Sequence, residues 1–221
     1  MSANLFTLDQ LTLAYGGHRV SQPLTLQIQA GEKVAVIGRS GVGKTTLLRT
    51  LRQQQSLEVA WCPQHPGLVP PLSVFHNVFM GRLGRHSAAF NLLNLVYPLK
   101  RMREEVLAIV APLGLSNLLM TPVEKLSGGQ QSRVNLARAL YQQRSVFIGD
   151  EPVASVDEVM AETLLDEICR RHETVIIALH DVALAMKFSD RIVGLQDGKI
   201  ALDAPTQTLE AGQLIRIYQD T

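Results

Sequence analysis

The sequence predicts one α/β domain in which a mixed sheet is covered by helices, with a reduced antiparallel part and an inserted helical segment. Three observations carry this reading. Short β-branched runs alternate with helical patterns, two stretches near the amino terminus alternate apolar and polar residues, and residues 69–123 interrupt the alternation with helical, Pro-punctuated sequence.

Each element follows from its pattern. Residues 11–15 (LTLAY) and 24–29 (LTLQIQ) alternate in the way half-buried antiparallel strands do. Residues 33–37 (KVAVI), 146–148 (VFI) and 174–178 (TVIIA) are continuous apolar runs suited to strands buried on both faces. Apolar residues at helical spacing fill 47–53, 158–171 and 182–188. A further strand over 57–62 leads into Pro63-Gln64, and residues 191–195 and 199–202 flank Asp197-Gly198, a hairpin-turn pair. No internal repeat or low-complexity segment is present.

Composition narrows the function classes. With 221 residues, 46% of them hydrophobic, the chain can bury one large core. Lys+Arg 21 against Asp+Glu 20 gives a net charge of +1, so the totals do not call for nucleic acid. The run at 90–99 (FNLLNLVYPL) is broken by Asn and Pro and falls short of the ~20 apolar residues that span a bilayer, so a soluble protein is expected. The amino terminus (MSANLFTLDQ) shows no basic region followed by an apolar stretch, hence no secretory signal. Cys62 and Cys169 lack metal-ligand spacing and read as structural thiols in a reducing compartment.

The chemistry is concentrated in short strings. Gly38-Arg39-Ser40-Gly41-Val42-Gly43-Lys44-Thr45, followed by Thr46, fits G-x-x-x-x-G-K-[ST] between a strand and a helix. Glycines let successive N–H groups curl inward, the helix start adds positive potential, Lys44 reaches the β- and γ-phosphates, and the Thr45 hydroxyl ligates Mg²⁺. A buried run then delivers Asp150, placed to hold Mg²⁺ through water, and Glu151, placed to act as general base on a water. Taken alone, that acid pair could be a solvated turn. His180 closes another apolar strand and can sense a γ-phosphate, since a neutral imidazole both donates and accepts. Finally Leu126-Ser127-Gly128-Gly129-Gln130 opens a helix with a hydroxyl, bare N–H groups and a dipole, an anion site without a lysine of its own.

Taken in order, these strings resemble the nucleotide-binding domain of ATP-binding cassette (ABC) proteins, and the resemblance spans nearly the whole chain. It implies a P-loop NTPase core over residues 1–68 and 124–221 with a helical subdomain over about 69–123. It also implies that Tyr15 stacks on adenine, that Gln64 touches Mg²⁺ and the transport partner, and that Asp157 in Ala154-Ser155-Val156-Asp157 is the D-loop acid. In that family Ser127, Gly128, Gly129 and Gln130 serve the γ-phosphate of a second subunit, so a head-to-tail homodimer sandwiching two ATP molecules is expected. Two transmembrane permease subunits, an extracytoplasmic solute-binding protein acting indirectly, and a peripheral place on the cytoplasmic face of the plasma membrane complete the expectation.

Subfamily strings point further. Leu72 to Val78 (LSVFHNV), Gly81-Arg82-Leu83-Gly84-Arg85 and Glu151-Pro152-Val153-Ala154-Ser155-Val156-Asp157 are similar to the ATPase subunits of phosphonate importers. That resemblance implies uptake of phosphonate or a related phosphorus oxyanion. Arg82, Arg85, Lys100, Arg101 and Arg103 make the helical segment basic, either as a solvated face or toward a membrane-embedded partner. One departure stands out: only nineteen residues separate Lys44 from Gln64, so the antiparallel part should be reduced. The chain also ends at Thr221, soon after its last helix, which leads us to expect no appended regulatory domain. Two other classes compete: a soluble ABC ATPase accessory to a multienzyme complex of phosphonate breakdown, and a DNA-repair type. The second would need a long coiled coil where the roughly eighty residues between the two glycine motifs show no sustained heptads.

Overall fold

The computed structural model describes residues 4–16, 18–55 and 58–218, with the side chains of Tyr15 and Arg19 outside that description. Two strands open the chain, β1 (Asn4–Tyr15) and β2 (His18–Gln29), and pair with each other as a two-stranded antiparallel sheet. Both run longer than their alternating patterns suggest. Register shifts between Leu8 and Leu11 and between Thr12 and Ala14, with Gln10 at φ 46°, put apolar residues off the simple period of two. The antiparallel part is thus a single ribbon, as the short Lys44 to Gln64 spacing implies.

The second sheet holds β3 (Lys33–Ile37), β4 (Val59–Cys62), β5 (Val146–Asp150), β6 (Thr174–Ala178), β7 (Arg191–Gln196) and β8 (Lys199–Pro205). Its strand order is β4-β5-β6-β3-β7-β8, parallel throughout except for β8, which returns antiparallel to β7. The β7–β8 turn falls at Asp197-Gly198, both at positive φ (49° and 69°), the geometry of the tight turns that match strand twist. Leu57, expected at the start of β4, lies outside the described residues.

Helices cover both faces. They are α1 (Lys44–Gln54), α2 (Val74–Phe79), α3 (Ala88–Val96), α4 (Lys100–Val110), α5 (Gly128–Tyr141), α6 (Glu158–Arg171), α7 (Val182–Phe188) and α8 (Ala211–Arg216). A 3₁₀ stretch at Met80–Arg85 follows α2 directly. Strand residues alternate between two cores: Val34, Val36, Ile148 and Ile176 meet Leu47, Leu48 and Leu51 of α1 together with Phe6, Leu26 and Ile28 of the ribbon. Ala35, Ile37, Phe147 and Ile177 face the opposite side, where α2, α4, α5, α6 and α7 supply the partners. Burial on both faces is why these strands read as unbroken apolar runs. Each fully buried leucine of α1 contributes about 1.5–3 kcal/mol relative to exposure. Among the described residues, no helix is long and apolar enough to cross a membrane.

Candidate nucleotide site

The carboxyl ends of β3, β5 and β6 bring the motif residues to one edge of the parallel sheet, where ligands of open α/β folds bind. After Ile37 the chain turns sharply. Gly38 has φ 144°, and a side chain there would collide with the Leu195 carbonyl, so only glycine fits. Gly41 and Gly43 are also left-handed (φ 81° and 109°), and Gly43 caps the amino end of α1. Helix α1 therefore begins at Lys44, one turn before its apolar pattern does, because its first turn is polar and faces the loop.

Lys44 is 5% exposed, and its Nζ donates to the carbonyls of Gly38 at 2.7 Å and Arg39 at 3.1 Å. Burial lowers its pKa, while Glu151 and Asp150 pull the other way. A cavity of about 320 Å³ opens here, lined by Ser40, Gly41, Lys44, Thr45, Thr46 and, across from them, Gln64 and Glu151. Six of the nine loop residues singled out in the sequence, Ser40, Gly41 and Gly43 to Thr46, thus line one space.

Asp150 closes β5 at 1% exposure, and neither carboxylate oxygen has a hydrogen-bond partner among the described residues. Burial raises its pKa; the Thr45 hydroxyl, close but outside hydrogen-bond geometry, lowers it, Glu151 raises it and Lys44 lowers it. A buried carboxylate beside a threonine hydroxyl is a hard oxygen donor set of the kind Mg²⁺ takes, so the residues fit that ion.

Glu151 follows at φ 55°, a strained conformation for a non-glycine residue, with its N–H donating to Ala178 at 3.3 Å. The turn throws its carboxylate into the space between two strand ends. Its Oε1 lies 2.5 Å from His180 Nε2, and its Oε2 accepts from Gln64 Nε2 at 3.3 Å. Gln64, Glu151 and His180, 116 positions apart at their extremes, thereby form one hydrogen-bonded set.

The second glycine motif lies elsewhere. Ser127 caps α5: its hydroxyl accepts from Gln130 N at 3.3 Å, and Gln130 Oε1 accepts from Ser127 N at 2.9 Å, a reciprocal capping box. A side chain on Gly129 would stand 2.7 Å from the Ser155 carbonyl, whereas one on Gly128 would meet open space. Asp157 caps α6 by accepting from Met160 N at 3.0 Å. Helix α5 packs on β4, and β4 is three strand spacings, about 14 Å, from β3. None of Ser127, Gly128, Gly129 or Gln130 lines the cavity at Lys44. Tyr15 ends β1, and its side chain lies outside the described residues.

Sequence reading missed three residues that hold this edge together. Asn135 Nδ2 donates to the Pro63 carbonyl at 2.7 Å. Arg138 donates to the carbonyls of Pro66 and Gly67 and to Asn135 Oδ1, so α5 grips the loop that follows Gln64. Two polar residues three apart in an otherwise apolar helix face were the available signal. Tyr218 Oη donates to the carbonyls of Leu179 (3.3 Å) and His180 (3.2 Å), and nothing local in the sequence marks it.

This fold and loop geometry define a phosphate-loop nucleotide-binding protein. Comparison with known proteins narrows the class. A family model described as ABC transporter matches residues 21–58 and 52–154, more than half of the chain, in two pieces that break within the shortened segment after Lys44. A phosphite import ATP-binding protein (PxtA) of Stutzerimonas stutzeri is 37% identical over 240 positions, covering 96% of this chain and 86% of its own length. A phosphonates import ATP-binding protein (PhnC) of Agrobacterium fabrum is 34% identical, with 96% and 84% covered. Among solved structures, a bacterial ABC transporter cassette determined as a dimer matches with a TM-score of 0.78 at 22% identity, covering 90% of this chain and 98% of that one. The cbiO1 protein of Clostridium perfringens, part of the transporter complex cbiONQ, matches at 0.72 and 23%, with 96% and 92% covered. These structural likenesses speak for the fold. The chain belongs to the ABC transporter family.

Proposed function

We propose that this chain is the ATP-binding and ATP-hydrolysing subunit of an importer, and that the solute is phosphonate or a related phosphorus oxyanion. The observation that carries the catalytic part is Glu151, held between His180 and Gln64 beside the phosphate loop. The solute class rests on the relatives, which are named for phosphite and phosphonate import.

In this reading the N–H groups from Arg39 to Thr46 cradle the phosphates, and Lys44 exchanges the Gly38 and Arg39 carbonyls for phosphate oxygens. Glu151 accepts a proton from the attacking water, and His180 fixes the carboxylate and contacts the γ-phosphate. Asp150, Thr45 and Gln64 are the residues to hold Mg²⁺, whose charge offsets that of the phosphates. Tyr15 stacks on the adenine. The separation of α5 from the phosphate loop supports completion of the site by a second copy, with Ser127, Gly129 and the start of α5 facing its γ-phosphate and Asp157 near the seam.

Residues 1–68 and 124–221 act as the catalytic core, and about 69–123 as the helical subdomain that meets two permease subunits. Gln64 and the loop gripped by Arg138 carry the nucleotide state to that subdomain. A peripheral place on the cytoplasmic face of the membrane follows, with a solute-binding protein on the other side.

The test is co-expression with any membrane and solute-binding proteins encoded beside it, followed by ATPase assay in proteoliposomes. Hydrolysis stimulated by binding protein loaded with a phosphonate or phosphite supports the reading. Co-purification with soluble enzymes instead, and ATPase indifferent to permease, would establish an accessory role.

A further inference from the structure

The run Gly81 to Arg85, which the nucleotide site does not use, helps form a separate cleft of about 800 Å³. It lies between the 3₁₀ stretch Met80–Arg85, α4 and the carboxyl ends of α5 and α6, and its charged lining is Arg82, Arg85, Arg101 and Arg171 with His86 against one carboxylate, Glu105. Glu105, and Glu167 shared between Arg170 and Arg171, offset part of this charge, and the positive excess that is left favours an anion in the space.

Arg82 is the unusual member. Its side chain is 9% exposed and sits 4.2 Å over the Tyr141 ring, with one contact to Glu105 at 3.5 Å, while its Nε and Nη2 have no hydrogen-bond partner among the described residues. Orphaned donors on a buried cation are costly. The other three already use part of their guanidinium groups: Arg85 donates through Nη2 to the Gln142 and Gln143 carbonyls, Arg101 through Nε to Glu105, and Arg171 through Nε and Nη2 to Glu167. Each guanidinium has five donors, so these contacts leave donors to spare. The carbonyls ending α5 disfavour an anion, but Arg85 already occupies two of them. Phe90 and Leu99 add an apolar wall that accommodates a substituent.

We propose that this cleft binds a phosphoryl oxyanion, for which planar guanidinium forks are the matching donors. Two sources share that chemistry, a free phosphate or organophosphonate and an anionic phospholipid headgroup. The cleft lies at the opposite end of α5 from Ser127, about 21 Å along a helix of fourteen residues, so its ligand is distinct from the nucleotide. The inference does not depend on which solute is imported.

The test uses the purified chain saturated with MgADP, so that the phosphate loop is filled. Inorganic phosphate and phenylphosphonate are titrated calorimetrically, and sedimentation with phosphatidylglycerol vesicles is compared with phosphatidylcholine vesicles. We expect one saturable site in the first arm or selective sedimentation in the second, and the responding arm identifies the source. Arg101→Glu, at a side chain 85% exposed and safe for folding, and Arg82→Gln should each weaken the response roughly tenfold or more. Arg103→Gln, exposed on the same helix outside the cleft, should not. Absence of binding in both arms, equal loss in the Arg101 and Arg103 variants, or loss only in Lys44→Ala would overturn the proposal.

Discussion

Asp150→Asn should stabilise the nucleotide-free chain while weakening its response to Mg²⁺. Both Asp150 oxygens are buried without hydrogen-bond partners among the described residues, a situation that costs on the order of 1–3 kcal/mol for a neutral group and more for a charge. Lys44 and Thr45 offset part of that cost, so an isosteric neutral amide should raise unfolding stability by about 1–2 kcal/mol near neutral pH. The sign of the pH dependence follows from the direction of the shift. A carboxyl whose folded pKa is raised binds its proton more tightly in the native state, so the wild type loses stability as pH rises from the ordinary carboxylate range through the Asp150 pKa. The variant should lack that slope. Urea denaturation across pH, without nucleotide and with MgADP, measures both effects. A nucleotide at a hundred times its dissociation constant adds about 2.7 kcal/mol, and the Mg²⁺-dependent part of that gain should shrink in the variant. A nucleotide-free variant less stable than wild type by more than about 1 kcal/mol, with an unchanged pH slope, would show that neighbouring groups already compensate the buried Asp150 charge and refute the reasoning.

Three further outcomes follow from the same geometry. Arg138→Ala frees the Pro66 and Gly67 carbonyls and should cost about 2–3 kcal/mol in urea denaturation, with Arg138→Lys recovering less than half because an ammonium cannot span the same acceptors. Ser127→Ala removes the α5 cap and should lower stability by about 1 kcal/mol, read from the shift in denaturation midpoint. The Cys62 thiol, fully buried and pushed up to about 12, should resist iodoacetamide at pH 8 until the chain is unfolded; rapid native labelling would contradict the placement.

What could be read from the sequence was what the chain keeps local. Elements β6, α6 and α7 match their patterns to the residue, because strands buried on both faces stay apolar without interruption and α6 and α7 start at Asp157 and Asp181 caps. The ribbon was underestimated because its bulges displace the alternation, and the first turn of α1 because Lys44, Thr45 and Thr46 are chosen for the loop rather than for a buried stripe. The site divides the same way. The phosphate loop, Asp150-Glu151 and the α5 cap are contiguous strings whose chemistry needs particular residue types at fixed spacing. Arg138 and Tyr218 act on backbone carbonyls of distant segments, contacts that only the strand order β4-β5-β6-β3 and the packing of α5 and the carboxyl-terminal segment create.

The central claim is that two copies complete each other's nucleotide sites and that Glu151 activates the water. Glu151→Gln keeps the shape that Gln64 and His180 enclose while removing the carboxylate proposed as the base. The direct measurement is light scattering coupled to size exclusion in ATP and Mg²⁺, with turnover assayed in parallel. The account predicts a stable ATP-bound dimer in the variant and turnover reduced by roughly 10²–10⁴. A variant that stays monomeric in ATP, or that hydrolyses at nearly the wild-type rate, would contradict it.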